Sequence, residues 1–262
     1  MDRTLIPMLQ DNYCHILIDR SEKKAVAVDP SESVPLCRFL DESRLTLEAI
    51  WNTHHHWDHT GGNLEVVQET GCAVIGAAHD AHRIPGITKR VEHGDQFFFG
   101  GESVEVLENP GHTTGAISFY MDERAGARHV YTGDTLFLAG CGRLFEGTPE
   151  MMWKSMLLLR ALPTDTLVHC GHEYTASNLR FAQHLEPHNQ EITNRLREVT
   201  AQLKKGQATV PATLSDEIRT NPFLRADNPD LLKSIHDNLG QQLNAGVEAF
   251  AFLRNAKNSF RG

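Results

Sequence analysis

The run Thr53-His54-His55-His56-Trp57-Asp58-His59-Thr60-Gly61-Gly62 follows directly on the apolar stretch Leu47 to Trp51 and places four histidines and an aspartate within six positions. A chain carrying it must fold so that a strand end and the turn beyond it gather several imidazoles in one place. Along extended backbone, residues two apart point the same way, so His54 and His56 can share one ion. Asp58 and His59 are neighbours and need a bend. Thr60-Gly61-Gly62 offers one as the loop tightens into a helix expected over Asn63 to Thr70, which lets Asp58 and His59 address a second ion. One stray histidine reads best as a solvated loop residue. This run does not, because imidazole and carboxylate are the groups that hold zinc, iron or manganese and their spacing lets them converge. It still supplies too few ligands for two ions, so the rest of the chain must provide others.

The chain has 262 residues, of which 40% are hydrophobic, enough to build a normal core in one large or two modest domains. No stretch approaches the roughly 18 apolar residues of a membrane span. The start, with Asp2, Arg3 and the short Leu5-Ile6, lacks the apolar centre of a signal peptide. A soluble, cytoplasmic protein with no membrane partner is expected. The five cysteines, Cys14, Cys37, Cys72, Cys141 and Cys170, are scattered and form no C-x-x-C pair, which indicates neither a disulfide framework nor a thiolate zinc knuckle. A net charge of -9 argues against a phosphate backbone as main partner, so no nucleic acid is expected.

Short strands are predicted at Thr4-Met8, Cys14-Ile18, Ala25-Val28, Ala49-Asn52, Ala73-Ile75, Ser103-Leu107, Ala116-Met121, Val130-Thr132 and Thr166-His169. Helical patterns fit Val34 to Glu42, Asn63 to Thr70 and Glu150 to Leu162, the last stopped by Pro163. Residues 1–174 therefore read as layered sheets with helices outside. Residues 175–262 change character, with long helical periods at Ser177-Leu185, Asn189-Lys204, Leu231-Leu239 and Gly246-Asn255 and a linker-like stretch from Lys205 to Pro211.

Three further turns repeat the pattern of the first. Asn109-Pro110-Gly111-His112-Thr113-Thr114-Gly115 presents His112 after an apolar strand, Tyr131-Thr132-Gly133-Asp134-Thr135 presents Asp134, and Val168-His169-Cys170-Gly171-His172-Glu173 presents His172. Each alone is weak, since an aspartate before a turn is usually a cap or an Asx-turn. Four strand ends carrying metal-binding side chains are far harder to dismiss.

In this order these residues resemble the metallo-β-lactamase superfamily, whose fold is an αββα sandwich with metals at one edge between the sheets. The resemblance implies that His54, His56 and His112 hold one ion, that Asp58, His59 and His172 hold the other, and that Asp134 bridges them. His55 and Trp57 fall at variable positions of the motif, and His79, His82 and His169 read as structural or solvated. Within that superfamily the chain is similar to the glyoxalase II, or hydroxyacylglutathione hydrolase, family. The marks are Asp11-Asn12-Tyr13, Cys141-Gly142-Arg143-Leu144-Phe145-Glu146-Gly147-Thr148, Gly171-His172-Glu173-Tyr174-Thr175 and Asn221-Pro222-Phe223-Leu224-Arg225.

That likeness implies an αββα domain over 1–174, followed by a smaller all-helical domain over 175–262 that helps to hold glutathione. Arg143, Tyr174, Arg254 and Lys257 match its substrate-contacting positions. Some family members carry Lys and Tyr where this chain has Arg143 and Phe145. Arg254 and Lys257 lie three apart on a predicted helix, so their heads share a face and can take the glycine carboxylate of glutathione.

The implied reaction is hydrolysis of S-(2-hydroxyacyl)glutathione, chiefly S-D-lactoylglutathione, to D-lactate and glutathione, the second step of methylglyoxal detoxification. Two divalent ions, zinc first with iron or manganese as alternatives, would lower the pKa of water between them and supply a nucleophile, with Asp58 and Asp134 as the catalytic carboxylates. A monomer is expected. The rival readings are a nuclease or lactonase on the same fold, a one-iron persulfide dioxygenase and an inactive metal-holding relative. The acidic charge weighs against RNA, and Asp58, His59 and His172 together favour two ions.

Overall fold

The protein is described by a computed structural model covering Met1–Gly262. In chain order its elements are β1 (Asp2–Met8), β2 (Asn12–Asp19), β3 (Lys24–Val28), α1 (Ser33–Ser43), β4 (Thr46–Trp51), α2 (Trp57–Thr60), α3 (Asn63–Thr70), β5 (Ala73–Ala77), β6 (Lys89–Val91), β7 (Gln96–Phe99), β8 (Glu102–Glu108), β9 (Ile117–Asp122), β10 (Arg128–Gly133), β11 (Leu136–Phe137), β12 (Gly140–Cys141), α4 (Pro149–Arg160) and β13 (Leu167–Cys170). Then come α5 (Thr175–Leu185), α6 (Gln190–Lys204), β14 (Ala212–Thr213), α7 (Leu214–Thr220), a 3-10 turn over Pro222–Leu224, α8 (Pro229–Leu239) and α9 (Val247–Ser259).

Strands β1 to β6 form one sheet in sequence order, and β14-β13-β10-β9-β8-β7 form the other. Strand periodicity sorts side chains between layers. In β2, Leu17 joins Trp51, Phe97, Phe119 and Tyr131 in the core between the sheets, whereas Ile16 and Ile18 pack outward with Leu36, Leu40 and Val66. In β4, Ala49 and Trp51 face in and Ile50 faces out. In β10, Tyr131 faces in while Val130 meets Met152, Met156 and Phe250 on the far side. Both faces of both sheets are thus covered, which gives four layers. Trp51 anchors the middle, with the rings of Phe97 and Phe119 each 5.2 Å away.

The largest core cluster runs from Tyr13, Val130 and Val168 in the strands through Trp153 and Met156 of α4 to Phe181, Phe223, Phe250 and Leu253 of the last ninety or so residues. A single apolar layer therefore serves both parts of the chain.

Several elements lie outside the sequence expectation, among them β6, β11, β12 and α7, and two stretches bear on how the second sheet is built. Gln96–Phe99 is a strand, with Phe97 and Phe99 buried and Phe98 exposed, but four residues are too few to show a period. Ala212–Thr213, inside the helical region, pairs antiparallel with Leu167 and Val168 and extends the second sheet. The approach to it is anchored and does not run free. Thr209 is buried and its backbone N–H donates to Glu173 Oε2 at 2.9 Å. No helix is long and apolar enough to cross a membrane.

Candidate metal centre

Ends of strands from both sheets meet at one edge. Beyond β4, Asn52 is wholly buried and fixes the outgoing loop by donating from Nδ2 to the His59 carbonyl at 3.0 Å. The one-turn helix α2 supplies the bend expected after His56 and sets Asp58 and His59 on it. His112 follows β8, Asp134 follows β10 and His172 follows β13.

These side chains converge in two triads, His54 with His56 and His112, and Asp58 with His59 and His172. In the first, His56 Nδ1 lies 3.1 Å from His54 Nε2 and 3.0 Å from His112 Nε2. In the second, Asp58 Oδ2 lies 3.6 Å from His59 Nε2 and 3.4 Å from His172 Nε2. Asp134 stands between them, with Oδ1 3.2 Å from His59 and Oδ2 3.5 Å from His112 and 3.4 Å from His172. Tetrahedral ligands at zinc distances are about 3.3 Å apart, so the spacing fits an ion in each triad.

Two observations test the fit from the protein side. His59 Nε2 and Asp134 Oδ1 are buried without any hydrogen-bond partner, a costly state unless a ligand engages them. The backbone also keeps clear of the same spot. A Cβ on Gly171 would sit 2.7 Å from both Asp134 Oδ1 and His59 Cε1. Gly171→Ala should accordingly weaken zinc uptake at least about tenfold, comparable to loss of an outer-shell partner, with little change in melting temperature. Calorimetric titration beside a thermal melt measures both.

Outer partners set which ring nitrogen faces inward. His54 Nδ1 donates to Thr53 Oγ1 (3.1 Å), His59 Nδ1 to Asp29 Oδ2 (3.0 Å), His112 Nδ1 to the Arg143 carbonyl (2.9 Å) and His172 Nδ1 to Asp11 Oδ1 (2.8 Å). Each Nε2 is left to ligate. Asp29 also accepts from Thr53 N and Oγ1, so it ties both triads together. The sequence reading missed it, although Asp29 after the apolar β3 repeats the strand-end pattern of Asp134. Asn12 Nδ2 donates to Asp58, and Tyr13 donates to Glu173.

Charge differs between the triads. Burial holds His54 well below the usual imidazole range and brings His56 down to about 4. Burial opposes protonation of His172 too, yet Asp134 and Asp58 raise it to about 10. Burial disfavours the Asp134 carboxylate, but His59 and His172 outweigh this and hold it well below the usual range. Cations that replace those protons therefore find a carboxylate already charged.

A cavity of about 950 Å³ leads from His56, Asp134 and His172 past Tyr174, Arg143 and Phe145 to Lys257 and Phe260. Tyr174 stacks on His172 at 4.8 Å. Arg254 and Lys257, expected from their spacing to share a helix face, both border this cavity, but they are engaged differently. Arg254 is buried, with its guanidinium bonded to the carbonyls of Cys141 and Gly142 and lying over Phe223. Lys257 Nζ sits 3.1 Å from Ser177 O and Oγ. Burial, then Arg254, Arg180 and Arg143, lower it to about 8. His169 is buried against His129, Tyr131 and His15, away from the triads.

Comparison with known proteins gives a consistent picture. Residues 14–172 match the model of the metallo-beta-lactamase superfamily, and residues 173–260 that of the hydroxyacylglutathione hydrolase C-terminus. The chain is 46% identical over 257 residues to a hydroxyacylglutathione hydrolase of Methylococcus capsulatus, covering 98% of each. It is 45% identical over 260 residues to that of Rhodospirillum rubrum, covering 99% of each. Among solved structures, ETHE1 from Myxococcus xanthus superposes with a TM-score of 0.66 at 25% identity over 92% of both chains. The di-iron-bound form of TTHA1623 superposes at 0.60 with 24% identity, over 85% of this chain and 100% of that one.

Proposed function

Because the chain belongs to the hydroxyacylglutathione hydrolase family of the metallo-beta-lactamase superfamily, we propose that it hydrolyses S-(2-hydroxyacyl)glutathione, chiefly S-D-lactoylglutathione, to the hydroxy acid and glutathione. The observation that carries this reading is a cavity with members of both triads and Asp134 at one end and cationic side chains at the other. Residues 1–174 act as the catalytic part, and 175–262 help to grip glutathione.

In this reading His54, His56 and His112 would hold one divalent ion, Asp58, His59 and His172 would hold the second, and Asp134 would serve both. Zinc is the first choice, and iron or manganese suit the same donors. Such ions supply a water of lowered pKa and a Lewis acid for the developing oxyanion. The chain's own residues do the rest. The inward nitrogens of these histidines are committed to ligation, so none is left as a general base. The leaving thiol needs no dedicated acid, since it ionises near the roughly 8.5 of a free cysteine. Tyr174, stacked on His172, and Arg143 line the path between triads and grip, and Lys257 offers its ammonium to a carboxylate. Every ligand comes from one chain, so a monomer suffices. Five free cysteines, four of them buried, suit a reducing, cytoplasmic setting.

The deciding assay is glutathione release from S-D-lactoylglutathione by purified protein, run beside an RNA precursor and a persulfide. Turnover of either alternative in preference to the thioester would overturn the reading. A pH profile tests the grip separately. Lys257 is charged below about 8 and neutral above it, so KM should rise as pH climbs through that value while kcat follows its own profile. Lys257→Arg, charged throughout, should flatten the rise.

A further inference from the structure

Outside the triads, a second group of charged side chains closes on one of them alone. Asp80 lies in the turn after β5 and is completely buried. Its Oδ2 accepts from His55 Nδ1 at 2.8 Å, and its Oδ1 accepts from His79 Nδ1 at 3.1 Å and from Arg83. The carboxylate lies flat against Gly115, where a Cβ would come within 2.2 Å of Asp80 Cγ. Glu146 completes the ring. Its Oε2 accepts from Thr114 N at 2.8 Å and from Arg83, and its Oε1 faces His55 Nε2 at 3.5 Å.

His55 is the residue between His54 and His56, and Thr114 and Gly115 belong to the turn that presents His112. The ring thus touches the chain beside each member of the first triad. The outer partners Asp11 and Asn12 serve the second triad, and Asp29 serves both. From this placement we propose that Asp80 is a positioning residue for the His54, His56 and His112 half of the centre, acting through His55 on one side and the packing against Gly115 on the other. The inference rests on the metal-centre reading above, and makes His55 a working part of the run and not a filler between ligands.

The test is zinc titration of metal-free protein by calorimetry, with a thermal melt of each variant. Asp80→Asn is made in two backgrounds, His172→Ala, which cripples the second triad, and His112→Ala, which cripples the first. Loss of an outer-shell partner typically costs ten- to a hundredfold in metal affinity. That loss is expected in the His172→Ala background and not in the His112→Ala background. Equal loss in both, or in neither, overturns the proposal.

If Asp80→Asn destabilises the fold, His55→Ala leaves the Asp80–Arg83 pair intact and should show the same triad-restricted loss. His55→Asn, whose amide can donate to Asp80, should recover part of it. Unchanged zinc affinity in both His55 variants overturns the proposal. Absence of zinc uptake by the wild-type chain overturns it together with the metal-centre reading. Uptake without thioester hydrolysis overturns only the proposed function.

Discussion

Stripping divalent metal from the protein with a chelator should bring thioester hydrolysis to background, a fall on the order of 10⁴-fold or more given the several kcal/mol that such ions contribute. Adding back two equivalents of zinc should restore it. The fold should survive the treatment, because hydrogen bonds within the protein already hold the ligands. Asp29 anchors Thr53 and His59, Asp11 anchors His172, and the Arg143 carbonyl anchors His112. Elemental analysis and a thermal melt check the two halves of this expectation. Full activity at one ion per chain would defeat the dinuclear reading.

Asp134→Asn should lower kcat by about a thousandfold, roughly 4 kcal/mol, with only a small change in melting temperature. The substitution keeps the shape but removes the one charge within 3.5 Å of members of both triads. Asp134 lies in a buried setting where His59 and His172 favour its charged form, and a neutral amide cannot hold two cations in register. Wild-type turnover in this variant with both ions retained would dismiss the bridging role.

Layered sheets with helices outside were legible because strands such as Cys14-Ile18 and helices such as Val34-Glu42 are long enough to show their periods, while the αββα order came with the family resemblance. The candidate metal-binding residues were legible for a different reason, and their division into two triads came with the resemblance. These residues stand at strand ends beside glycine or in a dense run, and an ion needs several donors of restricted chemistry. What escaped the sequence was of two kinds. Gln96–Phe99 and Ala212–Thr213 are too short for periodicity to speak; the first is held as a strand by the hairpin it makes with β8 and the second by pairing with the distant β13.

The outer partners Asp29, Asp80 and Glu146 escaped because a lone carboxylate in a turn resembles any other until the fold shows what it faces. Arg254 illustrates a third case. Its spacing from Lys257 suggested a shared helix face, but spacing could not reveal that its guanidinium is occupied by the carbonyls of Cys141 and Gly142.

The shared apolar layer that joins Val130 and Val168 to Phe250 and Leu253 bears on how such a protein can be rearranged. A chain ended after Tyr174 would leave Met152, Trp153 and Met156 facing water and β13 without its edge partner, so aggregation awaits the shortened protein. Exchange of the C-terminal helices between relatives, whether by recombination or by an engineer, succeeds only when the buried residues of α4 travel with them.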